Sequence, residues 1–306
     1  MSNIESYCGS NFGAYVRYIE EVREMSKRIK APYIDPDTTY DDSQSKYYIE
    51  LTKFLNKQEE KYIDEEKRWK YIFENNKDEP DGIKVKKNGE TIMVLKSDQL
   101  GFSAIHEDTF NHMGYIFNKY LVACKDLDAT WLASCIWKTR TIGGSFIWPI
   151  NKIGRKQTNY NKTRGISNYI EDRADLTLLE IKHYYEWLKM CKNESHCFKD
   201  DLLHTAVSNK YTRMDEWLEH FETFENYVKF FALTPFVDED DGECIPINIV
   251  ESNISQEKIE PLKDTNRKKV ISHIKDSDKL ERIINNVSNL IIKRSEIIQK
   301  VLDDTI

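Results

Sequence analysis

The sequence predicts an α+β fold, rich in helix, in which a small β-hairpin or sheet packs against several helices and a helical extension follows at the C-terminus. Three observations predict it. Apolar residues recur at three- and four-residue steps in several segments, as on one face of a helix. An Asn88-Gly89 pair joins two β-prone arms. Residues 245–269 are weakly periodic and precede a strictly periodic stretch, so we predict a main domain over 1–244 and a linker with a helical assembly segment over 245–306.

The first half of the chain contains three predicted helices. Residues 11–30 form an amphipathic helix that ends before Pro32. A second helix is predicted from about Ser45 to Asn75, with a polar middle that could break it in two. A third runs from about Glu107 to Cys124, whereas residues 131–137 fit either a helix or a buried strand.

The strands are predicted from turn residues and β-prone runs. Asn-Gly is a strong hairpin signal because both residues tolerate the positive φ of a type I′ turn. Another strand is predicted over residues 142–150, ended by Trp148-Pro149. The Gly143-Gly144 pair within this run could let a phosphate or a base approach the backbone, or it could mark a bulge or a packing contact. We favour packing, and no Gly-Lys-Ser/Thr follows that would make a P-loop.

The second half is predicted to be mostly helical. Helices are expected over residues 175–192, 200–208 and 213–233, the last one heavily aromatic and stopped by Pro235. The acidic run at 237–243 is predicted to be an exposed loop.

Composition is that of a soluble globular protein. The chain has 306 residues, 32% charged and 40% hydrophobic, with a formal net charge of -7. It has no apolar run near the roughly 20 residues that span a bilayer and no signal-peptide pattern, so we expect a cytoplasmic protein without a membrane partner. Its Lys, Asn, Ile and Tyr content is typical of AT-rich genomes, including those of many phages.

The strongest functional indication is the stretch of residues 129–170, called the basic segment below. It contains seven Lys and Arg residues and no Asp or Glu. This predicts an anionic ligand or partner, since guanidinium and ammonium groups bind phosphates and carboxylates. Nucleic acid is a further possible ligand, because its bases could stack on Trp148. The chain is acidic, with a pI near 5.6, which disfavours binding of nucleic acid. The candidate anion- or partner-binding residues are Arg140, Trp148, Lys152, Arg155, Lys156, Asn161 and Arg164.

Three charged residues directly after this segment are predicted to pair the loop with the next helix. They are Asp172, Arg173 and Asp175. A metal or general-base role for the two aspartates is an alternative, but capping of the helix N-terminus is the common use of Asp at such a position.

Catalytic and metal motifs are absent from the sequence. His183, Cys191, His196, Cys197 and His204 are close together, but their spacing does not match structural zinc signatures. No Ser or Cys nucleophile stands in a recognisable setting with a base. We therefore predict no catalytic residue, no metal and no cofactor.

The last periodic stretch predicts self-association. Its apolar stripe is about two residues wide per heptad, as in a coiled coil, and it contains one Arg, which can fix register. A helix docked on its own domain is the alternative. The predicted oligomerisation residues are Leu280, Ile283, Val287, Leu290, Arg294, Ile297 and Val301, and we expect a homo-oligomer.

From about Tyr33 to Glu239 the chain resembles an uncharacterised family of bacterial and phage proteins. The resemblance rests on TIGGSFIWP at 141–149, on Asn161 with Arg164-Gly165, on Asp172-Arg173 followed by DLTL at 175–178, on the Ser97-Asp98 neighbourhood and on FENYVKFF at 224–231. The chain departs from the pattern at Ala174 and at Lys162-Thr163, where relatives commonly have Phe and Gln-Ala. The resemblance implies a shared fold and names no catalytic residue.

In general character the chain is also similar to phage inhibitors of the Gabija defence complex. The functional expectation is therefore a non-enzymatic interaction protein of phage or prophage type, which binds and inhibits a host protein complex of anti-phage defence. The alternative is an enzyme or sensor for a nucleotide-like anion, with Arg140, Asn161 and Arg164 as ligand-binding residues.

Overall fold

The computed structural model describes residues 42–64, 70–76, 82–99, 138, 141–153, 156–159, 174–190, 203, 207, 213–240, 242–249 and 277–304. The predicted helices at 11–30 and 107–124 and the undecided residues 131–137 lie outside this part of the chain.

Helix α1 (Asp42–Tyr62) precedes the short strand β1 (Ile72–Asn75). The predicted helix over 45–75 is therefore right as far as Tyr62 and wrong for the described residues after it, 63–64 and 70–75. In β1, Phe73 is 2% exposed and Ile72 is 53% exposed, which is the two-residue alternation of a strand.

The side chain of Asn56 explains why β1 is extended. Its Nδ2 donates to Phe73 O at 2.9 Å, and its Oδ1 accepts from Phe73 N at 3.0 Å. The amide thus pairs with the outer edge of β1 much as another strand would, and α1 covers that edge. A contact between two elements decides the local structure here, and a periodicity count cannot detect it.

The predicted hairpin is confirmed as strands β2 (Ile83–Lys87) and β3 (Glu90–Gln99). Asn88 has φ 52° and Gly89 has φ 81°. Both values are positive, as a type I′ turn requires.

Strand β4 (Ser145–Ile153) pairs with β3 and with the edge strand β5 (Lys156–Asn159). The predicted strand at 142–150 is shifted, because Ile142–Gly144 forms a 3-10 turn and the strand continues past Pro149. Pro149 lies opposite Leu95 of β3, whereas the β4–β5 pairing runs from Ile150↔Asn159 to Ile153↔Lys156. Among the described strands, Pro149 is thus flanked by β3 alone, and its missing N–H interrupts no pairing with β5.

These strands form one antiparallel sheet in the order β1-β2-β3-β4-β5. Its inner face contributes Phe73, Val85 and Leu95 to the core. Phe73 meets the edge of Trp217 with ring centroids 6.4 Å apart, which joins the sheet to the helices. The predicted α+β fold is confirmed.

Helix α2 (Ala174–Lys189) confirms the helix predicted at 175–192. Of the predicted helix at 200–208, the structure describes Leu203 and Val207, which are both helical and buried.

The single helix predicted over 213–233 is wrong: α3 (Met214–Glu219) and α4 (Phe224–Phe230) are separate. Between them Glu222 has a positive φ of 64°, and Thr223 is the N-cap of α4, with its side chain accepting from Asn226 N. The break folds α4 back so that Phe221 contacts four further aromatic rings at centroid distances of 4.7 to 5.5 Å, namely those of Trp217, Tyr227, Phe230 and Phe231.

Strands β6 (Val237–Asp240) and β7 (Glu243–Pro246) form a second, two-stranded sheet. The acidic run predicted to be a loop is therefore a hairpin, whose turn contains Gly242 with φ 82°. Helix α5 (Ser277–Asp303) confirms the predicted C-terminal helix. Most of the predicted linker, residues 250–269, lies outside the described part of the chain.

Candidate functional site

The basic segment is described in part. Arg140, Arg155, Asn161 and Arg164 lie outside the described residues, so their predicted convergence stays a prediction. The segment's described residues are Lys138, Thr141, the 3-10 turn, β4 and β5.

The β4–β5 hairpin brings two predicted binding residues together. Lys152 is the Cα partner of Gln157, and Ile153 is the partner of Lys156. The two lysines therefore occupy adjacent strands at the same end of the hairpin, next to the connection at 154–155. Neighbouring strands lie roughly 4.8 Å apart. Because Lys152 shares a face with Gln157 and Lys156 shares a face with Ile153, the two lysines lie on opposite faces of the hairpin.

Trp148 lies in the core and not on a surface. Its side chain is 1% exposed, and its ring lies 5.1 Å from that of Phe146. A residue buried to this extent cannot stack on a base or contact a partner while the fold is intact. Its role as a binding residue is therefore corrected to one of packing within the sheet.

The turn that begins β4 is held by the C-terminal helix. Gly143 N donates to Ser295 Oγ at 2.9 Å, and Thr141 Oγ1 shares a hydrogen bond of 2.6 Å with the same hydroxyl. A Cβ at Gly143 would lie 2.5 Å from Ser295 Oγ and 2.6 Å from Ile291 O. Gly143 is thus required for close packing of the turn on α5, which is the alternative favoured by the sequence.

Arg294 fixes this contact from inside the protein. It is 1% exposed, and it donates through Nη1 to Gly143 O at 2.7 Å and through Nε to Phe231 O at 3.0 Å. Burial lowers its pKa to about 10, against smaller opposing effects of Tyr47 and Tyr227. The guanidinium is still protonated at neutral pH, so a buried cation ties α5 to two other parts of the fold.

Helix α5 packs on its own chain along its described length. Val287, Ile291 and Ile298 are buried, and Ile297 and Val301 pack against the same core. At the C-terminal end, Lys57 Nζ donates to the carbonyls of Val301, Leu302 and Asp304 at 2.7 to 3.1 Å. Arg294, predicted to fix an oligomer register, contacts carbonyls within its own chain. The homo-oligomer itself stays a prediction, as do the side-chain roles of Leu280 and Ile283.

Comparison with known proteins finds one family. A family of unknown function, DUF6994, matches residues 67–296, from the segment before β1 to the interior of α5. The chain belongs to the DUF6994 family. No curated protein and no solved structure matches it.

The DUF6994 match confirms the expected membership of an uncharacterised family but corrects its extent. The resemblance was expected to run from about Tyr33 to Glu239, whereas the match begins at residue 67 and continues to residue 296. The reason is visible in the contacts of the helix, because Arg294 and Ser295 bind Gly143. Most of α5 is therefore an integral part of the DUF6994 fold.

Within this DUF6994 region, Asp175 connects α2 to the segment after β7. It lies in the first turn of α2, is 1% exposed, and accepts from Ile249 N through Oδ2 at 3.1 Å. An acidic side chain near a helix N-terminus also interacts favourably with the helix dipole. Asp172 and Arg173 lie outside the described residues, so their pairing stays a prediction.

A second buried polar cluster joins α1 to the DUF6994 region and was missed from the sequence. Glu59, 2% exposed, accepts from Tyr71 N at 2.7 Å and contacts His220 Nε2 at 2.9 Å. The His220 and Tyr71 rings stack with centroids 3.8 Å apart. The three residues come from distant parts of the sequence, and a lone Glu in an amphipathic helix looks like a surface residue. Because all three side chains are buried, we assign the cluster a role in holding α1 to the core.

Two further findings concern metal binding and membrane spans among the described residues. They contain no group of three or more His, Cys, Asp or Glu residues that could hold a metal ion. Among the described helices, none combines the length and apolar character of a membrane span.

Proposed function

We propose that this protein binds an acidic surface of a bacterial host protein complex through the basic segment, and that it inhibits the complex by occupying that surface. This is the activity expected of a phage or prophage protein directed against host defence. The absence of acids from the basic segment carries the proposal, and the β4–β5 hairpin places two of its lysines, Lys152 and Lys156, on adjacent strands at one end of the sheet.

The charge distribution favours a protein partner over nucleic acid. The chain has a net charge of -7, which opposes sequence-independent binding to a polyanion of high charge density. A local basic cluster can still steer and orient an acidic protein surface, since exposed charges act within a Debye length of about 8–10 Å.

The fold also supports a preformed contact surface. Gly143 and Thr141, which precede β4, are bonded to Ser295, and Arg294 binds Gly143 O from the buried side. A segment that is held before binding loses less conformational entropy on association. The C-terminal helix thus stabilises the strand from which the hairpin extends.

The test is co-purification from host cells with a charge-reversed variant. Lys152→Glu/Lys156→Glu changes the net charge from -7 to -11, because each substitution contributes -2. Lys229→Glu/Lys293→Glu makes the same change at two exposed helical positions away from the hairpin. We expect wild type and the Lys229/Lys293 control to retain the same host complex in stoichiometric amount, and the hairpin variant to lose it.

Inhibition is then measured as the activity of the isolated host complex with and without the purified chain. Retention of the complex by the hairpin variant would contradict the proposed surface. Binding or turnover of a nucleotide by the purified chain, in the absence of a host partner, would instead establish the alternative of an enzyme or sensor.

A further inference from the structure

The C-terminal half of α1 contacts the outer edge of β1 through one stripe of polar side chains. Thr52, Asn56 and Glu59 are spaced by four and three residues, which puts them on one side of the helix. Thr52 Oγ1 lies 2.6 Å from Asn75 Oδ1, and Glu59 Oε1 accepts from Tyr71 N at 2.7 Å. The two bonds of Asn56 to the backbone of β1 lie between these contacts. The stripe therefore follows the strand along its length.

This stripe takes the place of a further strand at the β1 edge of the sheet. In a strand, the N–H and C=O of one residue point to the same side, and those of the next residue point to the other side. Phe73 directs both groups at α1, so Ile72 and Glu74 direct theirs at β2. Asn76 N donates to Gly82 O at 3.0 Å, which continues the alternation. The backbone groups that α1 binds are thus those that a further strand would bind.

The sequence of this edge favours pairing with an identical strand. Residues 70–76, KYIFENN, include Tyr, Ile and Phe, contain no Pro or Gly, and carry one Lys and one Glu, so they have no net charge. Short segments of this kind associate with copies of themselves when they are exposed at a sheet edge. Antiparallel pairing with Phe73 opposite its counterpart would place Ile72 of each copy opposite Glu74 of the other. No like charges would then lie opposite each other.

We infer that the polar stripe of α1 is an edge guard, which keeps β1 from pairing with β1 of a second copy of this chain. Loss of the stripe removes the partner of the N–H and C=O of Phe73. Local opening of α1 then becomes more frequent and exposes an unpaired strand edge. The inference is independent of the proposed function, because β1 and the β4–β5 hairpin lie at opposite edges of the sheet.

The experiment follows self-association of the full chain by light scattering in sub-denaturing urea. Thr52→Val/Asn56→Leu removes bonds of the stripe and nearly keeps the side-chain volumes. This variant should self-associate at least about ten-fold faster than wild type, since each lost hydrogen bond raises the population of the opened state several-fold. Ser295→Ala is the matched control, because it loses bonds to Thr141 and Gly143 and none to β1. Compared at urea concentrations that unfold the same small fraction of each protein, it should match wild type.

A second pair of variants tests whether β1 is the strand that pairs. Added to Thr52→Val/Asn56→Leu, Ile72→Glu would place a carboxylate opposite Glu74 of the second copy, which is repulsive. Within its own sheet the same carboxylate would lie opposite Lys86, which is favourable. Ile72→Glu should therefore return the rate to about that of wild type. Its control makes the same change at an exposed position of α1, Ile49→Glu, and should leave the rate within about two-fold.

Two results would overturn the inference. One is self-association of Thr52→Val/Asn56→Leu no faster than that of wild type or of Ser295→Ala. The other is an effect of Ile72→Glu no larger than that of Ile49→Glu. Circular dichroism shows whether each variant is folded, and Asn56→Ala replaces the double variant if the latter is not.

Discussion

Substitution of Gly143 by Ala tests whether the C-terminal helix holds the basic segment. Gly143 does not have a positive φ, so the cost of a methyl group there is steric and not conformational. The new Cβ would lie 2.5 Å from Ser295 Oγ and 2.6 Å from both Ile291 O and Ser295 N. Because two of these atoms belong to the helix backbone, α5 must move by about 1 Å to reach ordinary contact.

The expected cost combines two effects. Overpacking of this kind costs about 1–3 kcal/mol, and the charge-assisted bond from Arg294 to Gly143 O contributes about 1.5–3 kcal/mol. We therefore expect Gly143→Ala to lower the free energy of unfolding by about 3–5 kcal/mol, measured by urea denaturation. This is a large part of the about 5–15 kcal/mol available to a domain.

Gly82→Ala is the matched control. Its Cβ would lie 3.2 Å from the Val94 side chain and 3.3 Å from Leu95 O, which needs shifts of only a few tenths of an ångström, so it should cost less than about 1.5 kcal/mol. Adding Ser295→Gly to Gly143→Ala should not restore stability, because the backbone contacts remain. Equal stability of Gly143→Ala and wild type, or full rescue by Ser295→Gly, would refute the reasoning.

Three further predictions concern buried polar groups. Arg294→Lys should lower the free energy of unfolding by about 1.5–3 kcal/mol, because an ammonium cannot reproduce both bonds of the guanidinium; unchanged urea denaturation would contradict this. Glu59→Ala should lower the free energy of unfolding by about 2–4 kcal/mol. Glu59→Gln should lower it clearly less, since the Gln side chain can still accept from Tyr71 N. Equal losses of stability in the two variants would contradict the role of the cluster. Burial raises the pKa of Tyr71 and of Tyr184, so the unfolded chain releases these protons first and stability should fall as the pH rises above about 10. The tyrosinate absorbance of these two residues is the difference between wild type and the Tyr71→Phe/Tyr184→Phe variant. It should appear together with unfolding, and its appearance in the folded protein near pH 10 would be contrary to the prediction.

The elements that the sequence predicts correctly are those with a local cause. The Asn88-Gly89 turn needs only two residues that accept positive φ, and both have it. Helices α2 and α5 follow apolar periodicity over 16 and 27 residues, which is long enough for the pattern to be unambiguous.

The wrong elements depend on contacts between distant residues. Strand β1 is extended because Asn56 pairs with Phe73, and α3 and α4 separate so that Phe221 can be surrounded by aromatic rings. An aromatic run without a Gly or Pro carries no signal for such a break.

In the candidate site, too, the sequence predicts the features that have a local cause and not those that depend on the fold. A stretch without acids is visible in the sequence, and it predicts Lys152 and Lys156 as binding residues, which stays a prediction. The position of their strands at the β5 edge of a five-stranded sheet depends on strand order, which no local pattern encodes. Trp148 was assigned to the site because aromatic residues among bases suggest stacking, yet its position in the sheet buries both it and Phe146.

Amide hydrogen exchange of the chain, alone and bound to the captured host complex, tests the central claim most directly. A partner bound through the basic segment should slow exchange in residues 150–159 and leave the exposed side of α1 unchanged. Protection confined to other surfaces, with the β4–β5 hairpin exchanging as in the free protein, would contradict the claim.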